Sequence, residues 1–223
     1  MLSNLKAAWV MSFIVVQNAT SPSFALTGDV CADAEGDVAI AACSLIISNP
    51  LSTNNKRAIE YSQKSDYDRA IADYNEAVRI DASNSKAFFS RGVSYDKKGD
   101  KARSMADYTE VLRIDPNYAK AFFNRGSDYD DIANAELAIA DYTAAIRVKP
   151  DYAKAFYNRG VSYAKANQYV RAIADYSEAI RIDPKYSRAY YNRAIDLDEL
   201  GETARSDSDI ARAKSLDPSI DEN

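Results

Sequence analysis

The hexapeptides Ala87-Phe88-Phe89-Ser90-Arg91-Gly92, Ala121-Phe122-Phe123-Asn124-Arg125-Gly126 and Ala155-Phe156-Tyr157-Asn158-Arg159-Gly160 stand 34 residues apart, and Tyr190-Tyr191-Asn192-Arg193-Ala194 keeps their register. Upstream, Lys56-Arg57-Ala58 falls one period before Ser90-Arg91-Gly92. This makes five units, 51–84, 85–118, 119–152, 153–186 and 187–220, and leaves 221–223 as a tail. The third and fourth units share 18 of 34 residues without a gap. Self-similarity at a fixed period of this size means that each unit buries its apolar face only by stacking on a neighbour. The array reads as a solenoid.

Two helices fit within a unit. The first carries an aromatic, a small residue four later and another aromatic, as in Phe156, Gly160 and Tyr163. The second carries an apolar stripe at spacings of three and four, as in Ala138, Ile139, Tyr142, Ala145 and Ile146. Pro116, Pro150, Pro184 and Pro218 then stop each second helix, because proline lacks the backbone donor the next turn needs. The Gly or Ala of the first helix admits the second helix at close range.

The 34-residue period, the aromatic–Gly–Tyr series and the later Ala–Tyr–Ala–Pro series resemble the tetratricopeptide repeat over residues 51–220. The resemblance implies an all-α fold, a right-handed α-solenoid of antiparallel helix pairs. Residues 36–50 resemble a shortened second helix of such a unit, so 26–50 is expected to form an N-terminal capping hairpin. Unit one departs most, with Asn54 in place of the aromatic and Ala82 in place of the proline, so its first helix is expected to be irregular.

The resemblance also implies that first helices line a concave groove, with three rows of residues facing it. One row is basic: Lys86, Lys120, Lys154 and Arg188. One is aromatic: Phe89, Phe123, Tyr157 and Tyr191. One is amide, Asn124, Asn158 and Asn192, continued by Ser90. Aromatics supply apolar area at low entropy cost. Asparagine donates and accepts together, which suits the backbone of an extended peptide. The basic row would attract acidic side chains or a terminal carboxylate. The asparagine row is similar to the amide ladder in the tetratricopeptide region of O-linked N-acetylglucosamine transferases, whereas Phe89, Val93 and Asn158 depart from the chaperone-tail clamp of the family. A protein or peptide partner is implied, bound by a monomeric adaptor; a self-assembling structural protein of the cell envelope is the alternative.

Each unit also pairs an Arg in the first helix with an Asp in the second: Arg57/Asp73, Arg91/Asp107, Arg125/Asp141, Arg159/Asp175 and Arg193/Asp209. The family usually places Leu at the arginine site, and a buried guanidinium requires a carboxylate. A structural ladder is expected, with a row gripping anions as the other reading. At the far end, the apolar sites Ile71, Met105, Ile139 and Ile173, and Val78, Leu112, Ile146 and Ile180, become Asp207 and Lys214 in unit five. A terminal repeat needs such a polar face, because no neighbour covers it.

Residues 1–25 read differently. Lys6, the apolar run Ala7 to Val16 and the small residues of Ser23-Phe24-Ala25 have the form of a secretory signal peptide cleaved after Ala25. A membrane anchor is the alternative, but ten apolar residues span only about half a bilayer core. Removal of this segment takes one lysine, no acid and Trp9, the sole tryptophan. Export to a bacterial periplasm or beyond then makes Cys31 and Cys43 an expected disulfide, twelve residues apart around Gly36 and a helix from about 37 to 48, with two buried free thiols as the alternative. Such a closure contributes about 3 kcal/mol.

The whole chain has 223 residues, is 47% hydrophobic and 27% charged, and carries a net charge of −5. The acidic balance argues against nucleic acid as partner. The absence of histidine removes the commonest general base and metal ligand, and two cysteines cannot build a four-thiolate site. No phosphate loop, nucleophile elbow or dinucleotide fingerprint occurs. No catalytic residue, cofactor or metal is therefore expected. An enzyme working by carboxylates alone would need two of them facing across one pocket. The acidic clusters Asp128, Asp130 and Asp131, and Asp196, Asp198 and Glu199, are expected as solvated helix ends.

Overall fold

A computed structural model describes residues 50–220. The segment 1–25, the hairpin 26–50 short of its last residue, Cys31 and Cys43, and the tail 221–223 lie outside the described residues. Ten helices follow one another: α1 (Pro50–Gln63), α2 (Tyr67–Ile80), α3 (Ser85–Lys97), α4 (Lys101–Ile114), α5 (Ala119–Asp131), α6 (Ala135–Val148), α7 (Ala153–Lys165), α8 (Tyr169–Ile182), α9 (Ser187–Glu199) and α10 (Thr203–Leu216). The odd-numbered helices are the first helices of the five units and the even-numbered ones the second. No strand occurs among the described residues.

Local chemistry sets the helix ends. Asp66, Asp100 and Asn134 cap α2, α4 and α6 by accepting the backbone N–H of Arg69, Arg103 and Leu137. Each second helix ends two residues before its proline, with Asp115, Lys149, Asp183 and Asp217 in extended conformations. Unit one lacks the proline, yet α2 stops at the same register, at Asp81. Its α1 is a regular 14-residue helix, not the irregular one expected from Asn54. The turn inside every unit passes through one left-handed residue, at Ser65, Gly99, Ala133, Asn167 and Gly201.

Helices of one unit pack as an antiparallel pair, and each second helix packs on the first helix of the next unit. The pairs close on tyrosine and alanine. Tyr74, Tyr108, Tyr142 and Tyr176 are buried in successive second helices, Tyr74 clustered with Ala87 and Tyr108 with Ala121 of the following helix, and Ala155 and Ala189 are buried at the equivalent sites. Opposite these rings stand the repeat glycines. A Cβ on Gly92, Gly126 or Gly160 would come within 2.8, 2.9 or 2.7 Å of a ring carbon of Tyr108, Tyr142 or Tyr176. First helices of successive units also approach one another at α1–α3, α5–α7 and α7–α9, while second helices do not approach comparably. The stack therefore curves, with first helices on the inside.

The last unit ends the stack with charge. Asp207 and Lys214 are exposed where Ile71 is buried and Met105, Ile139, Ile173, Val78, Leu112, Ile146 and Ile180 are at least half-buried.

Candidate functional site

The inner face is built from residues that recur along the odd-numbered helices. Lys86, Lys120, Lys154 and Arg188 each occupy the second position of a first helix and are exposed. The caps Tyr118, Tyr152 and Tyr186 give α5, α7 and α9 no side-chain hydrogen bond. The basic row thus sits at helix N-termini along one rim, with Asn84 capping α3 at Lys86 and no side-chain cap at the other three.

Three of the four rings of the aromatic row also take part in the stack. Phe89 stacks between Tyr108 of α4, at 5.8 Å between ring centroids, and Tyr118 at the cap of α5, at 5.0 Å. Phe123 repeats this with Tyr142 and Tyr152, and Tyr157 with Tyr176 and Tyr186. Such tilted pairs contribute about 0.5–1.5 kcal/mol each beyond area burial. At the end of the array Ile220 takes the register of Tyr186, and it lines a cavity of about 290 Å³ with Tyr191, Asn192, Arg188, Tyr157 and Asp217.

The amide row joins units too. Asn124 Nδ2 donates to the Tyr108 hydroxyl and Asn158 Nδ2 to that of Tyr142, both at 3.4 Å. Asn192 Nδ2 donates to the Tyr157 hydroxyl at 2.9 Å. Each bond uses one of two amide hydrogens and fixes the side chain in place. The second N–H and the carbonyl oxygen take no part in it, and both suit a peptide backbone.

A fourth row was missed from the sequence. Ile59, Val93, Val161 and Ile195 follow the repeat Gly or Ala directly, with Ser127 in the third unit. Ile59 and Ile195 are 45% and 48% exposed, and the two valines are half-buried. From unit two on, each lies four residues after the aromatic row (89 to 93, 157 to 161, 191 to 195), so extending that row by one helical turn would have found it.

Arginine and aspartate form the expected ladder. Each Arg makes two parallel bonds to the Asp of its own unit: Arg57 at 2.6 and 2.5 Å, Arg91 at 2.8 and 2.7 Å, Arg125 at 2.7 and 2.9 Å, Arg159 at 2.8 and 2.7 Å, Arg193 at 2.6 and 2.8 Å. From unit two on, the remaining nitrogen donates to the second helix of the preceding unit, at Asn75, Thr109, Thr143 or Ser177. The hydrogen bond to aspartate outweighs burial and raises the pKa of Arg57, Arg91, Arg125 and Arg159. The guanidinium planes of Arg91, Arg125, Arg159 and Arg193 also lie near the Phe88, Phe122, Phe156 and Tyr190 rings. From unit two on, each guanidinium joins three helices.

The acidic clusters were expected as solvated helix ends; Asp131, Asp198 and Glu199 are exposed, but one acid of each cluster is buried. Asp128 is 1% exposed and Asp196 is 4% exposed. Asp96, Asp128 and Asp131 converge with one oxygen each within 4.8 Å of the others, and the Lys101 ammonium pairs with all three. Burial opposes the charge on Lys101, but the three carboxylates together raise its pKa. The ammonium thus fills the space that a bound cation would need. Asp130 instead accepts from Ser162 and from the Tyr142 hydroxyl.

Tetratricopeptide repeat models match residues 85–118 and 153–186, and a TPR repeat model matches 59–99 and 134–167, together covering half of the chain. No curated protein matches the sequence. Among solved structures, the chain is similar to MamA, at 23% identity and TM-score 0.69, over 74% of this chain and 97% of that one. It is also similar to YrrB, described as a TPR protein with an unusual peptide-binding site, at 19% identity and TM-score 0.65, over 74% and 86%. A third similarity is to PilF of Pseudomonas aeruginosa, at 16% identity and TM-score 0.67, over 75% and 76%. With repeat models in register with the helix pairs and this fold shared, the chain belongs to the tetratricopeptide repeat family.

Proposed function

We propose that this protein is a non-enzymatic adaptor that holds an extended segment of a partner protein in its concave groove. The observation that carries this is the amide row. Three asparagines are fixed one unit apart by tyrosine hydroxyls, each keeping its carbonyl oxygen as an acceptor and Asn124 and Asn158 a second N–H, beside the aliphatic row at Val93, Val161 and Ile195. Immobilised amides cost little further entropy on binding. The basic rim supports a partner with acidic side chains. The same reading includes export, supported by the leader-like sequence 1–25, with Cys31 and Cys43 bridged in an oxidising compartment and the mature protein in the periplasm or outside the cell. Affinity capture from an envelope extract tests it. The N124A/N158A/N192A variant is expected to recover at least tenfold less partner than wild type while keeping its helical circular dichroism. Equal recovery removes the amide row from recognition.

A second reading, self-assembly in the envelope, is favoured by one surface. Val170, 71% exposed, and Leu200, 43% exposed, border the same shallow cavity at the turn edge of units four and five. Light scattering separates the readings, because the adaptor is monomeric without its partner.

A further inference from the structure

Unit two breaks the amide row. Where the later units carry Asn124, Asn158 and Asn192, it carries Ser90, two heavy atoms shorter. At that place the groove opens into a cavity of about 340 Å³ between α1, α2 and α3. Ile59, Tyr74, Phe89 and Val93 give it an apolar lining, with Ser90 beside them and Lys97 as its one charge among the described residues. Lys97 is exposed and makes no ion pair among those residues. The lining also includes Ser62, whose Oγ is buried without a hydrogen-bond partner. A ligand's backbone could supply the partner that this hydroxyl lacks.

We propose that this cavity is the anchor subsite of the groove. It takes one bulky apolar side chain of the partner segment, flanked by a carboxylate that pairs with Lys97. The inference rests on the adaptor reading and adds the chemistry of the anchor residue. Charge complementarity selects this occupant: the cavity presents apolar walls, one unpaired ammonium and no acid among the described lining residues.

Selection of phage-displayed random peptides against the full chain tests it, followed by affinity measurement of the enriched peptides. The expected peptides carry a large aliphatic or aromatic residue next to Asp or Glu. Ser90→Asn, which installs the side chain that the next three units already tolerate, is expected to weaken them at least tenfold. Lys97→Ala is expected to weaken them about threefold and to flatten their salt dependence. Enriched peptides that bind S90N as tightly as wild type, yet are lost on N124A/N158A/N192A, overturn the subsite and leave the groove reading standing. Enrichment on neither protein overturns both. A benzoylphenylalanine at Gln63, on the rim, is expected to crosslink the peptide; crosslinking to residues 1–49 of the same chain instead would assign the cavity to that segment and overturn the proposal.

Discussion

The junction between units two and three and the junction between units four and five bury an acid at one repeat position, and they treat it oppositely. At the first, Asp128 accepts from Ser104 Oγ and pairs with Lys101 at 2.9 Å. At the second, the same position is Asp196, but Tyr169 stands in the register of Lys101 and Ala172 in that of Ser104. Asp196 Oδ2 is buried with no partner, and burial, then Glu199, pushes its pKa up to about 6. In units two and four the position is Ser94 and Ser162, which bond to Ser90 and Asn158 carbonyls. One slot in a periodic stack therefore holds serine with its own helix's carbonyl as partner, and an acid either paired with a cation and a hydroxyl of the preceding second helix, at Asp128, or left short of both, at Asp196.

The largest effect comes from removing the cation. Lys101→Ala leaves Asp96, Asp128 and Asp131 converging without their ammonium, and stripping one partner from such a buried group costs about 3 kcal/mol. Urea denaturation at pH 7.5 is expected to show that loss, and adding Asp128→Ser to the same variant is expected to restore a large part of it. A loss below about 0.5 kcal/mol, the range of an exposed pair, would make the cluster a surface feature.

At the other junction the sign reverses. A carboxyl with a raised native pKa binds more protons folded than unfolded, so stability falls as pH rises from about 4 to about 6 and the penalty is full above that. Asp196→Ser is therefore expected to stabilise at pH 7.5, by about 1–2 kcal/mol once solvent screening is discounted, and to do nothing at pH 4. Thermal melts of both proteins across pH 4–8 check it. Parallel curves would mean that Asp196 titrates as an ordinary surface acid.

The contrast also marks what the residues alone could reveal. The 34-residue register, the helix pairs, the polar last face and the Arg–Asp partners were legible, because each depends on spacing within a unit or on its exact repetition. Asp128 and Asp196 were not, since their burial depends on side chains about 25 residues earlier, in the preceding second helix. Phe89 is visible in the sequence as a groove-facing ring, but its stacking on Tyr118, at the start of the next helix pair, is not. Asn54 misled in the other direction: α1 stays regular without an aromatic there, with Ala58 buried against Tyr74 and Ala70 in the unit's own core. On the inner face, the hydrogen bonds of the amide row to tyrosine hydroxyls were not visible in the sequence, and the aliphatic row went unseen because Ser127 interrupts it.

The smallest effect compares two serines in one register. Ser104 and Ser206 are both fully buried near the start of a second helix. Ser104 Oγ donates to Asp128 of the unit that follows, so Ser104→Ala leaves a buried carboxylate oxygen short of a donor and is expected to cost about 1–2 kcal/mol. No further helix pair follows Ser206 among the described residues, and its Oγ is buried without a partner there. Its hydroxyl was desolvated with no hydrogen bond in return, so Ser206→Ala is expected to be neutral or to stabilise by about 0.5 kcal/mol. Paired urea titrations of the two variants measure the difference. Equal losses would show that serine in this register serves its own helix rather than the neighbour, and Asp128 would then owe its place to Lys101 alone.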